Sequence, residues 1–129
     1  MSKGKILVVD DEPDIIQAIS IRLEANGYEI ASAENGEQAI QTAVREKPNL
    51  IILDIGLPDI NGHIVAKRLA EYPQTQFTPI IYLTANATRQ NFDKALVLGV
   101  SQFISKPFNI DDLLATIRML MTRHHRYYC

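Results

Sequence analysis

Five times along this chain, a short apolar run gives way to a longer stretch whose apolar residues recur at helical spacing. The runs are Ile6 to Val9, Tyr28 to Ala33, Leu50 to Leu53, Pro79 to Leu83 and Val100 to Ser105. Runs this short and this apolar suit strands buried on both faces. The stretches between them carry helix signals. Pro13 suits a first helical position, and Ile15, Ile16, Ile19 and Leu23 follow until Asn26-Gly27 stops them. Asn35 with Gln38 resembles a capping box ahead of Ala39, Ile40, Ala43 and Val44, and Pro48 closes that helix. Ile64, Val65 and Leu69 mark a shorter helix that fades before Pro73. Phe92, Ala95 and Leu96 mark a fourth, with Gly99 at its end. Asn109 caps the last, whose first turn carries Asp111 and Asp112, favourable against the helix dipole. Leu113, Leu114, Ile117, Leu120 and Met121 form its apolar face.

Strands alternating with helices imply a parallel sheet covered on both faces. For a chain of 129 residues the expected form is the α/β flavodoxin-like doubly wound sheet, with five parallel strands in the order 2-1-3-4-5 and five helices. A 47% hydrophobic composition fills one core. The net charge of −2 lacks the basic excess of a domain that grips nucleic acid by its phosphates. Cys129 is the only cysteine, which excludes an intrachain disulfide and a cysteine-based zinc site. Ile6 to Val9 is too short for a signal-peptide core or a membrane span, so the expected compartment is the cytoplasm.

In such sheets, ligands bind beyond the carboxyl ends of the strands, at the switch point between the first and third. The first strand ends in Asp10-Asp11, the third in Asp54, the fourth in Thr84 and the fifth in Lys106. These strands are consecutive in the expected order. Three carboxylates, a hydroxyl and an ammonium therefore converge on one edge. Such carboxylates repel one another and need a counter-charge, for which Mg²⁺ is suited. A carboxylate can also act as a nucleophile toward phosphorus, with Lys106 and the metal neutralising charge and Thr84 donating a hydrogen bond.

The motifs are Val8-Val9-Asp10-Asp11-Glu12-Pro13, Asp54-Ile55-Gly56-Leu57-Pro58-Asp59-Ile60-Asn61-Gly62, Leu83-Thr84-Ala85 and Phe103-Ile104-Ser105-Lys106-Pro107-Phe108. In this order and at these strand ends they resemble the receiver domains of two-component response regulators. The resemblance spans residues 1–123 and leaves 124–129 as a tail. It implies that Asp54 accepts phosphate from a sensor histidine kinase or phosphotransfer protein. It also implies that Asp11 and Asp54 bind Mg²⁺ directly, Asp10 directly or through water, and Gly56 through its backbone carbonyl. Lys106 would pair with the phosphate and Thr84 would move toward it. Phe103 matches the aromatic position whose rotation reports phosphorylation, and Lys106–Pro107 would be a cis bond.

Each residue also has a plainer reading. Asp10, Asp11 and Glu12 suit a helix N-terminus without any metal. Thr84 and Lys106 taken singly are an ordinary strand residue and a solvated lysine, and Phe103 could be plain core. His63 has no partner at ligand spacing and reads as exposed or capping. The basic, aromatic segment from Arg123 to Cys129 reads as a frayed end. A flavodoxin-like carrier would need a phosphate-welcoming loop where Asp10-Asp11-Glu12 stand. A phosphatase would need a substrate pocket and a second acid or base beside Asp54. The expectation is a switch rather than a turnover enzyme, acting through an unidentified downstream protein without membrane or direct nucleic-acid contact. The chain reads either as a stand-alone regulator or as a fragment of a longer protein. Ser101-Gln102 replace the acidic pair common before the strand-5 aromatic in receivers joined to winged-helix domains. That favours a monomer, with a phosphorylation-dependent dimer as the alternative.

Overall fold

The computed structural model describes residues 2–128, with side chains as far as Thr122. Five strands, β1 (Lys5–Val9), β2 (Glu29–Ala33), β3 (Leu50–Leu53), β4 (Ile80–Thr84) and β5 (Gln102–Ser105), alternate with five helices. The helices are α1 (Pro13–Ala25), α2 (Gly36–Glu46), α3 (Gly62–Leu69), α4 (Arg89–Leu98) and α5 (Ile110–Tyr128). All strand pairs are parallel, in the order β2-β1-β3-β4-β5. This is the flavodoxin-like arrangement expected from the alternation. The side chains of the segment read as a frayed tail lie outside the described residues.

Alternate strand residues divide the core in two. Leu7, Val9, Ile51, Leu53 and Tyr82 face α2, α3 and α4, packing on Ala39, Ile40, Val65 and Leu69. Ile6, Val8, Leu50, Ile52, Ile81 and Leu83 face α1 and α5, packing on Ile19, Leu23, Leu113 and Ile117. Each of these side chains is almost fully buried. At about 25 cal/mol per Å² of apolar surface, each contributes on the order of 2 kcal/mol before its ordering cost.

The turn chemistry does what the sequence suggests, with local differences. Asn35 Oδ1 accepts from Gln38 N at 2.8 Å, but the Gln38 side chain returns to Glu34 N rather than to the cap residue. Asn109 Oδ1 takes the amides of Asp111 and Asp112. Pro79 lies just outside β4, having no N–H to give the ladder, and offers only its carbonyl, to Ile51 N at 3.0 Å. In α4 only Ala95 is buried, while Phe92, Leu96 and Val97 are exposed.

Candidate functional site

The sheet register sets the site. Val9 pairs with Leu53, and Thr84 pairs with Ser105. The ladder continues one residue past the strand ends. Asp10 N donates to Ala33 O at 3.1 Å, Asp54 N to Val9 O at 3.1 Å, and Lys106 N to Thr84 O at 2.8 Å. Asp10, Asp54 and Lys106 thus have backbone positions fixed by sheet hydrogen bonds, although they lie outside the strands.

Their side chains meet. Lys106 Nζ donates to Asp10 Oδ2 at 2.6 Å and to Asp54 Oδ2 at 3.1 Å, with little of any of the three exposed. The second oxygen of each carboxylate takes a backbone amide, Glu12 N on Asp10 at 2.9 Å and Gly56 N on Asp54 at 3.2 Å. Thr84 is fully buried, and its hydroxyl accepts from Asn86 N at 3.1 Å, which leaves the hydroxyl proton for another acceptor. The Lys106–Pro107 bond is cis. Gly62 packs directly against the backbone of Asp54, the residue that follows β3. A Cβ there would stand 2.6 Å from the Asp54 carbonyl oxygen and 2.7 Å from Ile55 Cα, so the close approach admits only glycine without movement.

Electrostatics follow from burial. Desolvation pushes the Asp10 carboxyl above its ordinary range, opposed by its hydrogen bonds from Lys106 and Glu12 N. Burial alone would pull the Lys106 ammonium down, but the bonds to Asp10 and Asp54 outweigh it and hold the pKa up. The site therefore keeps its ammonium, and its buried carboxylate gains from any further positive charge. Asp10, Asp11 and Glu12 offer oxygens within 4.8 Å of one another. An all-carboxylate, hard-oxygen set fits Mg²⁺ rather than a soft-ligand metal. Asp11, Glu12 and Gly56 are exposed, so the acidic set opens to solvent beside a buried Asp10 and Asp54.

Phe103 is half-buried away from the carboxylates, edge-on to Tyr82 at 6.1 Å and to Phe92 at 5.8 Å. His63 departs from its sequence reading. It is neither exposed nor capping: Asn61 Oδ1 caps α3, and the His63 ring is buried. Its Nδ1 lies 2.9 Å from the Tyr82 hydroxyl and its Nε2 lies 3.1 Å from Asn91 Oδ1. The phenol of a strand residue supplies the partner that spacing between His and Cys could not reveal. Glu12 in the acidic trio, Asn86 on Thr84 and Gly62 under Asp54 are also additions. Glu12 had a signal, its adjacency to the two aspartates; the others depend on loop geometry.

Comparison with known proteins agrees with this geometry. The sequence pattern of the response regulator receiver domain matches residues 6–118. The chain is 41% identical over 118 residues to the phosphate regulon transcriptional regulatory protein PhoB of Pseudomonas aeruginosa, covering 92% of this chain and 52% of that one. It is 40% identical over 121 residues to the alkaline phosphatase synthesis transcriptional regulatory protein PhoP of Bacillus subtilis, covering 92% and 49%. It spans about half the length of these curated relatives. A CheY-like receiver domain from Methanospirillum hungatei superposes with a TM-score of 0.91 at 28% identity, covering 95% of this chain and 97% of that one. The chain belongs to the response regulator receiver domains of two-component signalling, a family phosphorylated on aspartate.

Proposed function

We propose that Asp54 is the phosphoacceptor of a Mg²⁺-dependent switch. The observation that carries this is Lys106 Nζ bridging Asp54 and Asp10 at the carboxyl edge of the sheet. An Asp54 oxygen forms the new O–P bond as the donor's N–P bond breaks, and that electron pair leaves with the imidazole of a kinase or phosphotransfer phosphohistidine. Because the transition state spreads charge over the equatorial oxygens, positioning and neutralisation supply most of the catalysis. Asp10, Asp11, Asp54 and the Gly56 carbonyl would hold Mg²⁺, with Glu12 adjacent. The metal, when bound, supplies positive charge to the phosphoryl oxygens. Lys106 stays charged and can turn from the carboxylates to the phosphate. Thr84 can donate its free hydroxyl proton to a phosphate oxygen. Water attack on the same phosphorus would return the domain to rest, so it cycles without a separate substrate.

Output is proposed to pass through α4, β5 and α5. Thr84 moving toward the phosphate would free space into which Phe103 can turn, altering the surface offered to a downstream protein. A cytoplasmic setting suits a kinase partner. The domain is proposed to be monomeric before phosphorylation, with dimerisation on phosphorylation as the alternative. The test is intact mass after treatment with acetyl phosphate and Mg²⁺. One added phosphate is expected, absent in Asp54→Ala and absent in EDTA. Equal labelling of Asp54→Ala would sink the assignment.

A further inference from the structure

A groove of about 490 Å³ lies between α3 and α4, away from the acidic edge. Its apolar lining includes Ile64, 47% exposed, and Val97, 86% exposed, together with Leu98. Exposed aliphatic side chains on two facing helices form one contiguous apolar surface here, and such a surface rimmed by polar residues suits a ligand-binding groove. His63 lines the same groove with both ring nitrogens engaged. Asn91 Nδ2 donates to Asn86 O at 2.8 Å, which turns Asn91 Oδ1 toward His63 Nε2 and requires a proton on that nitrogen. Nδ1 is then free to accept from Tyr82. What the ring can offer an occupant is therefore carbon.

The rim is net positive. Lys67 on α3 and Lys94 on α4 both line the groove and are exposed, and neither has an ion pair among the described residues. Asp93 also lines it, but Arg89 Nε pairs with that carboxylate at 3.3 Å one helical turn away. Two unpaired ammonium groups thus flank an apolar trough. The volume falls within the range of about 300–1,000 Å³ typical of small-molecule sites. α3 has eight residues, a length of about 12 Å. A protein partner would have to find most of the roughly 800 Å² of a stable interface outside the trough itself. Size thus favours a small occupant, and charge favours an anionic one.

We propose that the α3–α4 groove binds a small amphipathic anion, an acyl carboxylate. Its chain lies on Ile64, Val97 and Leu98, and its carboxylate lies between Lys67 and Lys94. The test is an amide-resonance titration of the labelled domain with sodium decanoate, kept below its micelle-forming concentration. Saturable one-to-one shifts are expected in residues 62–69 and 89–98. Binding of 1-decanol should be weaker, and of decyltrimethylammonium weaker still. Lys67→Gln with Lys94→Gln should lower decanoate affinity about tenfold, as two partly exposed ion pairs imply, while leaving 1-decanol unchanged. Val97→Asp should abolish both. These positions are exposed, and an unchanged circular dichroism spectrum checks that each variant folds. Non-saturating shifts, shifts centred elsewhere, equal binding of decanol and decanoate, or an indifferent double variant would each overturn the proposal. So would groove resonances that move with protein concentration alone, because a second copy would then be the occupant.

Discussion

Lys106 shows how one side chain can stabilise the acidic site and also leave it hungry for cations. Its ammonium touches one oxygen of Asp10 and one of Asp54, so these oxygens lie within about 6 Å of each other. At an effective dielectric near 20 their repulsion is about 3 kcal/mol, and one ammonium must offset it while also serving both. Removing Lys106 leaves a buried Asp10 unpaired, a change that costs about 3 kcal/mol or more. We expect Lys106→Met to lower the melting temperature sharply in EDTA, with Mg²⁺ restoring more stability to the variant than to the wild type. Asp54→Asn keeps the Asp10–Lys106 bond and removes the repulsion. A rise of about 4 °C in EDTA is expected, corresponding to roughly 1 kcal/mol. Calorimetry across a magnesium series at constant ionic strength measures both. An unmoved Lys106→Met together with a less stable Asp54→Asn would mean that the three groups do not act on one another.

At the scale of elements, the loop after β3 holds α2 as well as the site. Asp59 Oδ1 accepts from Gly36 N at 2.7 Å and Oδ2 accepts from Glu37 N at 2.9 Å, so a residue 23 positions away caps the helix. Desolvation pushes the Asp59 carboxyl up, but the amides of Glu37, Gly36, Ile60 and Asp59 itself outweigh it and hold the pKa below the ordinary range. A depressed folded-state pKa gives stability that is present above the unfolded value, near 4, and lost as pH falls through the folded value. Asp59→Ala should therefore cost about 1 kcal/mol at pH 7, and its deficit should shrink in acid as pH falls through the folded value. Urea melts at pH 7 and in acid test this; a deficit of equal size in acid would remove the charge-assisted cap from the account. This long-range cap was hidden in the sequence, where Asp59 carried only a turn signal. The local caps Asn35 and Asn109 were legible because their partners lie within three residues. The strands were legible for a similar reason: Leu50 to Leu53 and Ile80 to Leu83 are apolar on both faces wherever they sit in the order.

Across the whole molecule, the acidic edge and the α4 face are joined by side-chain packing along β4. Thr84 ends that strand at the site, and Tyr82, two residues earlier, lies on the α2–α3–α4 side. Tyr82 holds His63 by its hydroxyl and packs edge-on against Phe103, which meets Phe92 of α4. Asp10, Asp54, Thr84 and Lys106 were legible because strand order alone brings their strand ends together. The His63–Tyr82 bond was not, since it joins a helix start to a strand interior and depends on how α3 lies over the sheet. Tyr82 is fully buried, and desolvation raises its phenol pKa, so it remains a neutral donor at any working pH. A shift of Thr84 toward a phosphate would disturb β4, and α4 is weakly anchored, with Ala95 its one buried residue. A phosphate mimic can shift such an equilibrium only as far as it prefers one arrangement. With beryllofluoride and Mg²⁺, we expect amide exchange to change across residues 85 to 105, including α4. Exchange in α2, whose Ala39, Ile40 and Ala43 are buried, should stay as it was. Phe103→Ala should blunt the response in α4 while leaving phosphorylation of the domain intact, which separates coupling from chemistry. Equal change in α2 and α4 would indicate global stabilisation by the ligand. Unchanged exchange throughout residues 85 to 105 would break the proposed route from Asp54 to the output surface.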